Sequence, residues 1–204
     1  MAKAAPPRAK PRAWQRMLSG RRLNLLEPSP LDIEISDIAH GLARVARWNG
    51  QTKGPHAYSV AQHSVLVLDI ALTLDPNITH TEQRAALLHD APEYVIGDMI
   101  SPFKAVMGGN YKLVEKRLSD AIHIHFGLPP DLPPALKRLI KDADRVSAYL
   151  EATELAGFGP EEAGQIFGKP ALHPLTLFDL EPRPTDAAQA EFLARFAALE
   201  TAAP

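Results

Sequence analysis

The chain has 204 residues, 46% of them apolar and 23% charged, the balance of a globular protein with one sizeable core rather than of a disordered or fibrous chain. It contains no cysteine, which excludes disulfide scaffolds, thiolate zinc sites, iron–sulfur clusters and cysteine nucleophiles. The formal charge of −2 is unevenly spread: seven of the 22 basic residues and none of the 24 acids fall within residues 1–22, leaving an acidic body of formal charge −9. No run of about 18 apolar residues suggests a membrane span, and no apolar N-terminal segment suggests a secretory signal, so a cytoplasmic protein is expected.

Residues 1–22 read as a flexible basic arm kept irregular by Pro6, Pro7 and Pro11, and residues 23–204 as one domain. Basic arms contact nucleic acid in many proteins. Here the reading is a solvated tail, without the interleaved aromatics of a base-stacking surface and with an acidic body behind it, so nucleic acid is not an expected partner. Leu23, Leu25 and Leu26 then suggest packing on the core or on a neighbouring chain.

Apolar residues at 38, 42, 45 and 46 predict a helix over 37–48, with Ser36 as its N-cap. Residues 60–74 are strongly apolar; the Val-rich centre suits a strand, but the length favours a buried helix. Thr81 is the expected cap of a helix running through TEQRAALLHDAPEY. Gly97-Asp98 marks a turn, and Ser101-Pro102 a cap with the first helical position. Further helices are predicted over 110–126, ended by Gly127 and Pro129-Pro130, and from Pro133-Pro134 to about Ala156. Residues 157–184, rich in Gly and Pro, are expected to form a long irregular loop before a last helix over 185–200. No alternating strand run is evident, and the predicted class is all-α.

Three polar interruptions of apolar helical segments stand out: His63, the His89-Asp90 pair, and Asp142 with Asp144. A single histidine on an apolar face is more often a core residue than a ligand. Carboxylates, however, are almost never fully buried unless paired or bound to metal, so three interruptions in three helices point to one shared site.

In order and spacing these residues resemble the HD-domain metal-dependent phosphohydrolases, and most closely their bacterial 5′-deoxynucleotidase branch. His89-Asp90-Ala91-Pro92-Glu93 through Gly97-Asp98 fits that branch's H-D-A-x-E-x-x-x-G-D signature. Pro102-Phe103-Lys104, Lys141-Asp142-Ala143-Asp144 with Ala148-Tyr149-Leu150, and Arg47-Trp48 fit its other motifs, so the resemblance covers about residues 35–156. The resemblance implies a helical HD-type bundle holding one divalent metal ion on His63, His89, Asp90 and Asp144, with Asp142 as the fallback for the last. Two imidazoles and two carboxylates suit Mn, Co, Fe, Ni, Zn or Mg. It further implies acid–base or water-orienting roles for Glu93 and Asp98, with the division open. Arg47 and Lys104 are the candidate phosphate clamps, and Trp48 a wall that would exclude a 2′-hydroxyl.

The expected activity is hydrolysis of 5′-nucleotides, foremost deoxynucleoside 5′-monophosphates. The alternatives are an HD-type deoxynucleoside triphosphate triphosphohydrolase and, outside enzymes, a metal-stapled nucleotide- or nucleic-acid-binding module. A homodimer is expected by analogy, with the apolar residues around 23–26 and 192–199 as candidate interface. His56 is expected to stay off the metal, His80 to lie in a loop, and His123 and His125 to face different ways; His40 and His173 have no assigned role. The absent Gly-Tyr-Pro tripeptide and Tyr94 after Glu93 argue against the cyclic-dinucleotide and alarmone branches.

Overall fold

A computed structural model describes residues 12–100, 109–172 and 177–201. Eight α-helices and one small sheet form the described chain. Lys104, His173 and the Ser101-Pro102 cap lie outside the described residues.

The organising element is α2 (Val60–Leu74), buried at almost every position from Val60 to Ala71. Such a helix is apolar all round, because other helices surround it. It packs against α3 (His80–Leu87), α6 (Pro134–Glu154) and α8 (Thr185–Thr201), while α1 (Ile35–Leu42) lies against α8 and the short α4 (Glu93–Ile96). Helix α5 (Gly109–His125) and α7 (Pro160–Phe167) complete the set. Leu23, Phe192, Phe196 and Leu199 are buried in the core, whereas Leu26 of the same N-terminal segment is exposed. Each of the four buried residues contributes on the order of 2 kcal/mol by leaving water.

Four local expectations are corrected. Helix α1 begins after Glu34 rather than Ser36 and stops at Leu42. Beyond it Val45 and Ala46 pair back to the entry of α2: Arg47 N–H donates to the Tyr58 carbonyl at 2.8 Å, and Val60 N–H to that of Val45 at 3.0 Å. That pairing overrides the helical stripe and brings Arg47-Trp48 beside α2. Helix α3 is capped by Thr79, not Thr81, through a reciprocal capping box with Glu82. It ends at Leu87, so His89 and Asp90 lie in a turn rather than within a helix. Pro92 accounts for the break, since its ring clashes with the carbonyl four residues back and it has no N–H to donate.

The stretch 157–184 is not wholly irregular. Gly159 and Pro160 open α7, and Gly168, at φ 86°, closes it. The Pro and Gly that suggested a loop are here the start and stop signals of a helix. Residues 12–22 also depart from an irregular arm. Trp14–Arg16 pairs antiparallel with Arg22–Asn24, Gln15 opposite Leu23. The ribbon is fastened to the body by buried Leu23, by Ser19, whose N–H and hydroxyl both donate to Asp37, and by the Arg21–Glu34 ion pair.

Gly41 is where α1 and α4 meet. A Cβ there would sit 2.7 Å from Tyr94 Cβ and 2.8 Å from the Tyr94 carbonyl oxygen. Backbone atoms do not yield cheaply, so Gly41→Ala is expected to lower stability by about 1–3 kcal/mol despite alanine's better helix propensity. Urea unfolding checks this; an unchanged or higher midpoint would show that α4 is not seated on α1 in this way.

Candidate metal centre

His63 reaches the centre from the first turns of α2, which Ser59 caps by accepting from Gln62 N–H. His89 and Asp90 come from the turn after α3, and Asp144 from the middle of α6. The ligand atoms of His63, His89 and Asp90 all lie within 4.8 Å of one another, so this trio could hold a metal ion. Asp144 Oδ1 is 3.3 Å from His63 Nε2 but falls outside that mutually close set. Asp142 is exposed on the same helix, away from the cluster.

The state of the two imidazoles fits a cation. His63 Nδ1 is 2.6 Å from Glu151 Oε1 and 3.1 Å from Ser147 Oγ. A carboxylate only accepts, so His63 Nδ1 carries the proton. His89 Nδ1 is 2.9 Å from the Ala86 carbonyl, which likewise only accepts. Each ring thus turns Nε2 inward, and both Nε2 atoms are buried with no hydrogen-bond partner among the described residues. His63 Nε2 lies 3.4 Å from Asp90 Oδ2, and His89 Nε2 lies 3.2 Å from the same oxygen. An anchored Nδ1 with a bare Nε2 is the usual arrangement of a metal-binding histidine.

The electrostatics agree. Burial and Arg47 both oppose a charged His63, yet Glu151, Asp144 and Asp90 raise its pKa well above the usual value. Burial would raise the Asp90 pKa, but the histidines, His89 first, hold it well below the ordinary carboxylate range. Asp144 is lowered in the same way against its burial, chiefly by His63. The cavity is therefore rich in ionised carboxylate, and a proton and a metal ion would compete for His63 Nε2.

Glu151 escaped the reading of the sequence, yet it joins the parts of the site. It is fully buried. Its Oε1 takes His63 and the Ser147 hydroxyl; its Oε2 takes Arg47 Nε at 3.1 Å and Trp48 Nε1 at 2.8 Å. Burial opposes its charge, but Arg47 first, then His63, hold its pKa far below the ordinary value. Arg47 Nη1 also meets Asp98 Oδ2 at 3.1 Å. Burial would lower the Arg47 pKa; Glu151, then Asp98, Asp90 and Asp144, more than reverse this. Trp48 is held at φ 56°, an unusual backbone for a bulky residue, by its bond to Glu151 and by the rings of Phe158 and Phe167 at 5.6 and 5.8 Å. Glu93 is buried at the start of α4. His56 is exposed, His80 is exposed at the first position of α3 rather than in a loop, and His123 is buried while His125 is not, so none of the four joins the cluster.

Residues 36–167 match the family described as 5′-deoxynucleotidase YfbR-like. With this helical fold and the His/Asp cluster, the chain belongs to that family, within the HD-domain superfamily. It is 57% identical over 184 residues to an uncharacterized protein of Rhodobacter capsulatus, covering 90% of this chain and 94% of the relative. It is 32% identical over 124 residues to the uncharacterized protein YfdR of Escherichia coli, covering 61% of this chain and 62% of YfdR. No helix among the described residues is long and apolar enough to cross a membrane.

Glu151→Gln keeps the shape but removes the charge opposite Arg47. Unfolding of the metal-free protein in urea is expected to show a loss on the order of 3 kcal/mol, as for other broken buried ion pairs. Titration calorimetry with Mn²⁺ should show affinity falling by about 10- to 100-fold as His63 loses its anchor. If neither quantity moves, Glu151 does not hold the site together.

Proposed function

We propose that the protein is a metal-dependent phosphohydrolase that cleaves the phosphomonoester of 5′-nucleotides, with deoxynucleoside 5′-monophosphates as substrates. The observation that carries this reading is the pair of anchored imidazoles whose bare, buried Nε2 atoms converge with Asp90. Both nitrogens face the Asp90 carboxylate at 3.2–3.4 Å without an aligned hydrogen bond, an arrangement in which one cation would satisfy all three groups.

In this reading His63, His89, Asp90 and Asp144 hold one divalent ion, which supplies Lewis-acid chemistry, polarising a phosphate oxygen and lowering the pKa of water. Arg47 gives Nε to Glu151 and Nη1 to Asp98, which leaves Nη2 as its nitrogen without a partner among the described residues. That nitrogen is the one we assign to a substrate phosphate oxygen, fixed in advance by the two carboxylates. Asp98 and Glu93 are the carboxylates we assign to proton handling, Glu93 from the start of α4 and Asp98 two residues beyond its end. Trp48 forms the wall beside the sugar, stiffened by Phe158 and Phe167. Lys104 remains the second phosphate cation of this proposal. The four assigned ligands come from three separate segments, α2, the turn after α3, and α6.

The test is phosphate release from a panel of ribo- and deoxynucleoside 5′-mono- and triphosphates, using protein stripped of metal and reloaded with Mn²⁺, Co²⁺ or Mg²⁺. Inorganic phosphate from deoxynucleoside monophosphates is expected, falling to the metal-free level in Asp90→Ala. Tripolyphosphate from a deoxynucleoside triphosphate would replace this reading with a triphosphohydrolase. Metal binding without turnover of any member of the panel would replace it with a binding module.

A further inference from the structure

The N-terminal ribbon is not used by the centre described above, and it carries a feature of its own. Strand periodicity puts residues 12, 14, 16 and their cross-strand neighbours 22 and 24 on one face, opposite buried Leu23. That outer face holds Arg12, Trp14, Arg16, Arg22 and Asn24. The guanidinium carbons of Arg12, Arg16 and Arg22 lie 4.9, 5.8 and 4.2 Å from the centre of the Trp14 ring. Among the described residues none of these three arginines has a carboxylate partner, whereas Arg21, on the next position round, is paired with Glu34. Three like charges are gathered on one indole without a counter-ion among the described residues. The indole's negative face offsets part of their repulsion; the rest calls for an external anion.

The ribbon is a fixed platform rather than a loose tail, since Ser19, Arg21 and Leu23 fasten it to the body. Its arginines are therefore gathered before any ligand arrives. All three cations are Arg, whose planar fork matches phosphate oxygens better than a lysine ammonium does.

We propose that this face is a second binding site, for the phosphate backbone of single-stranded nucleic acid, with Trp14 holding the three guanidiniums in place. The combination of guanidiniums tracking phosphates around an aromatic ring is the chemistry of single-strand recognition. A long duplex footprint is disfavoured by the acidic body, whose formal charge is −9. A lipid surface is disfavoured because the face at positions 12, 14, 16, 22 and 24 includes no aliphatic side chain, and the ribbon's turn exposes only Leu18 as a large apolar residue.

The experiment is fluorescence anisotropy of a labelled 12-nucleotide oligothymidylate with the full chain. Binding on the order of 10 μM is expected at 50 mM salt. Three phosphate contacts give a log–log salt slope of about −2, hence roughly 20-fold weaker binding at 200 mM. The triple variant R12A/R16A/R22A should lose binding and the slope while keeping metal-dependent phosphate release, which separates this site from the centre. The variant R12K/R16K/R22K should keep the slope but bind several-fold more weakly, having lost the flat stacking on Trp14. Circular dichroism of each variant checks that the fold is retained. Absence of binding at 50 mM salt, binding unchanged in the alanine variant, or binding to phosphatidylglycerol vesicles in place of the oligonucleotide would each overturn the proposal.

Discussion

A carboxylate with no exposure to solvent is tolerated only when both oxygens are answered, and the arrangement around Glu151 follows from that requirement. One oxygen is answered by His63 and Ser147, the other by Arg47 and Trp48. The first pair fixes a ring on the central helix; the second fixes the segment between α1 and α2. A single side chain on α6 therefore ties together elements that are far apart in sequence. Its own charge is sustained by Arg47, whose charge is sustained in turn by Asp98. In low dielectric such a chain is worth more than its separate links, and a missing member leaves a buried charge uncompensated. The left-handed backbone at Trp48 persists because this network and two aromatic rings hold the indole from three sides.

Much of the fold is visible in the spacing of apolar residues. The helices over 60–74, 110–126, from 134 and over 185–200 need only a stripe and a terminator, and the structure places them within a residue or two of those bounds. What the spacing does not reveal is where tertiary pairing overrides local preference. The stripe through Val45 and Ala46 is real, yet those residues pair with the entry to α2 instead of continuing α1. Pro and Gly are ambiguous in the same way: at 159, 160 and 168 they start and stop a helix, and at 92 they break one. The ribbon was hidden because three-residue strands are too short to show an alternation, and a single tryptophan among arginines did not register as an aromatic surface.

The site was legible in part for a related reason. His63, His89-Asp90 and Asp144 are conspicuous because each interrupts an apolar segment. Glu151 interrupts one too, and it stands seven residues after Asp144 and four after Ser147, on the buried stripe of Leu136, Ile140, Ala143 and Leu150. Its helical phase was the available signal. It lies near the end of a helix in a segment with other charged residues, so it resembles a solvated end until the partners from α2 and the 47–48 segment are seen. A buried acid finds its meaning in residues about 90 to 100 positions away, and no local window contains them.

Charge accounting around the centre sets an order on what can enter it. Asp90, Asp98, Asp144 and Glu151 outnumber the cationic groups they face, the Arg47 guanidinium, which two of them already occupy, and the His63 ring, which Glu151, Asp144 and Asp90 hold toward its protonated form. A phosphate dianion approaching that set meets an excess of negative charge at short range, where the dielectric is low and repulsion strong. The remaining Nη2 of Arg47 is too little to reverse it. The inward-facing Nε2 atoms and the ionised Asp90 instead favour a cation, a proton or a metal ion, and the carboxylates that repel phosphate are those that attract it. In the proposed function, a divalent cation on this cluster would change the sign of the cavity before a phosphorylated substrate enters. The same proximity that makes the carboxylate-rich shell good at gathering a divalent ion makes it selective against anions when the ion is missing.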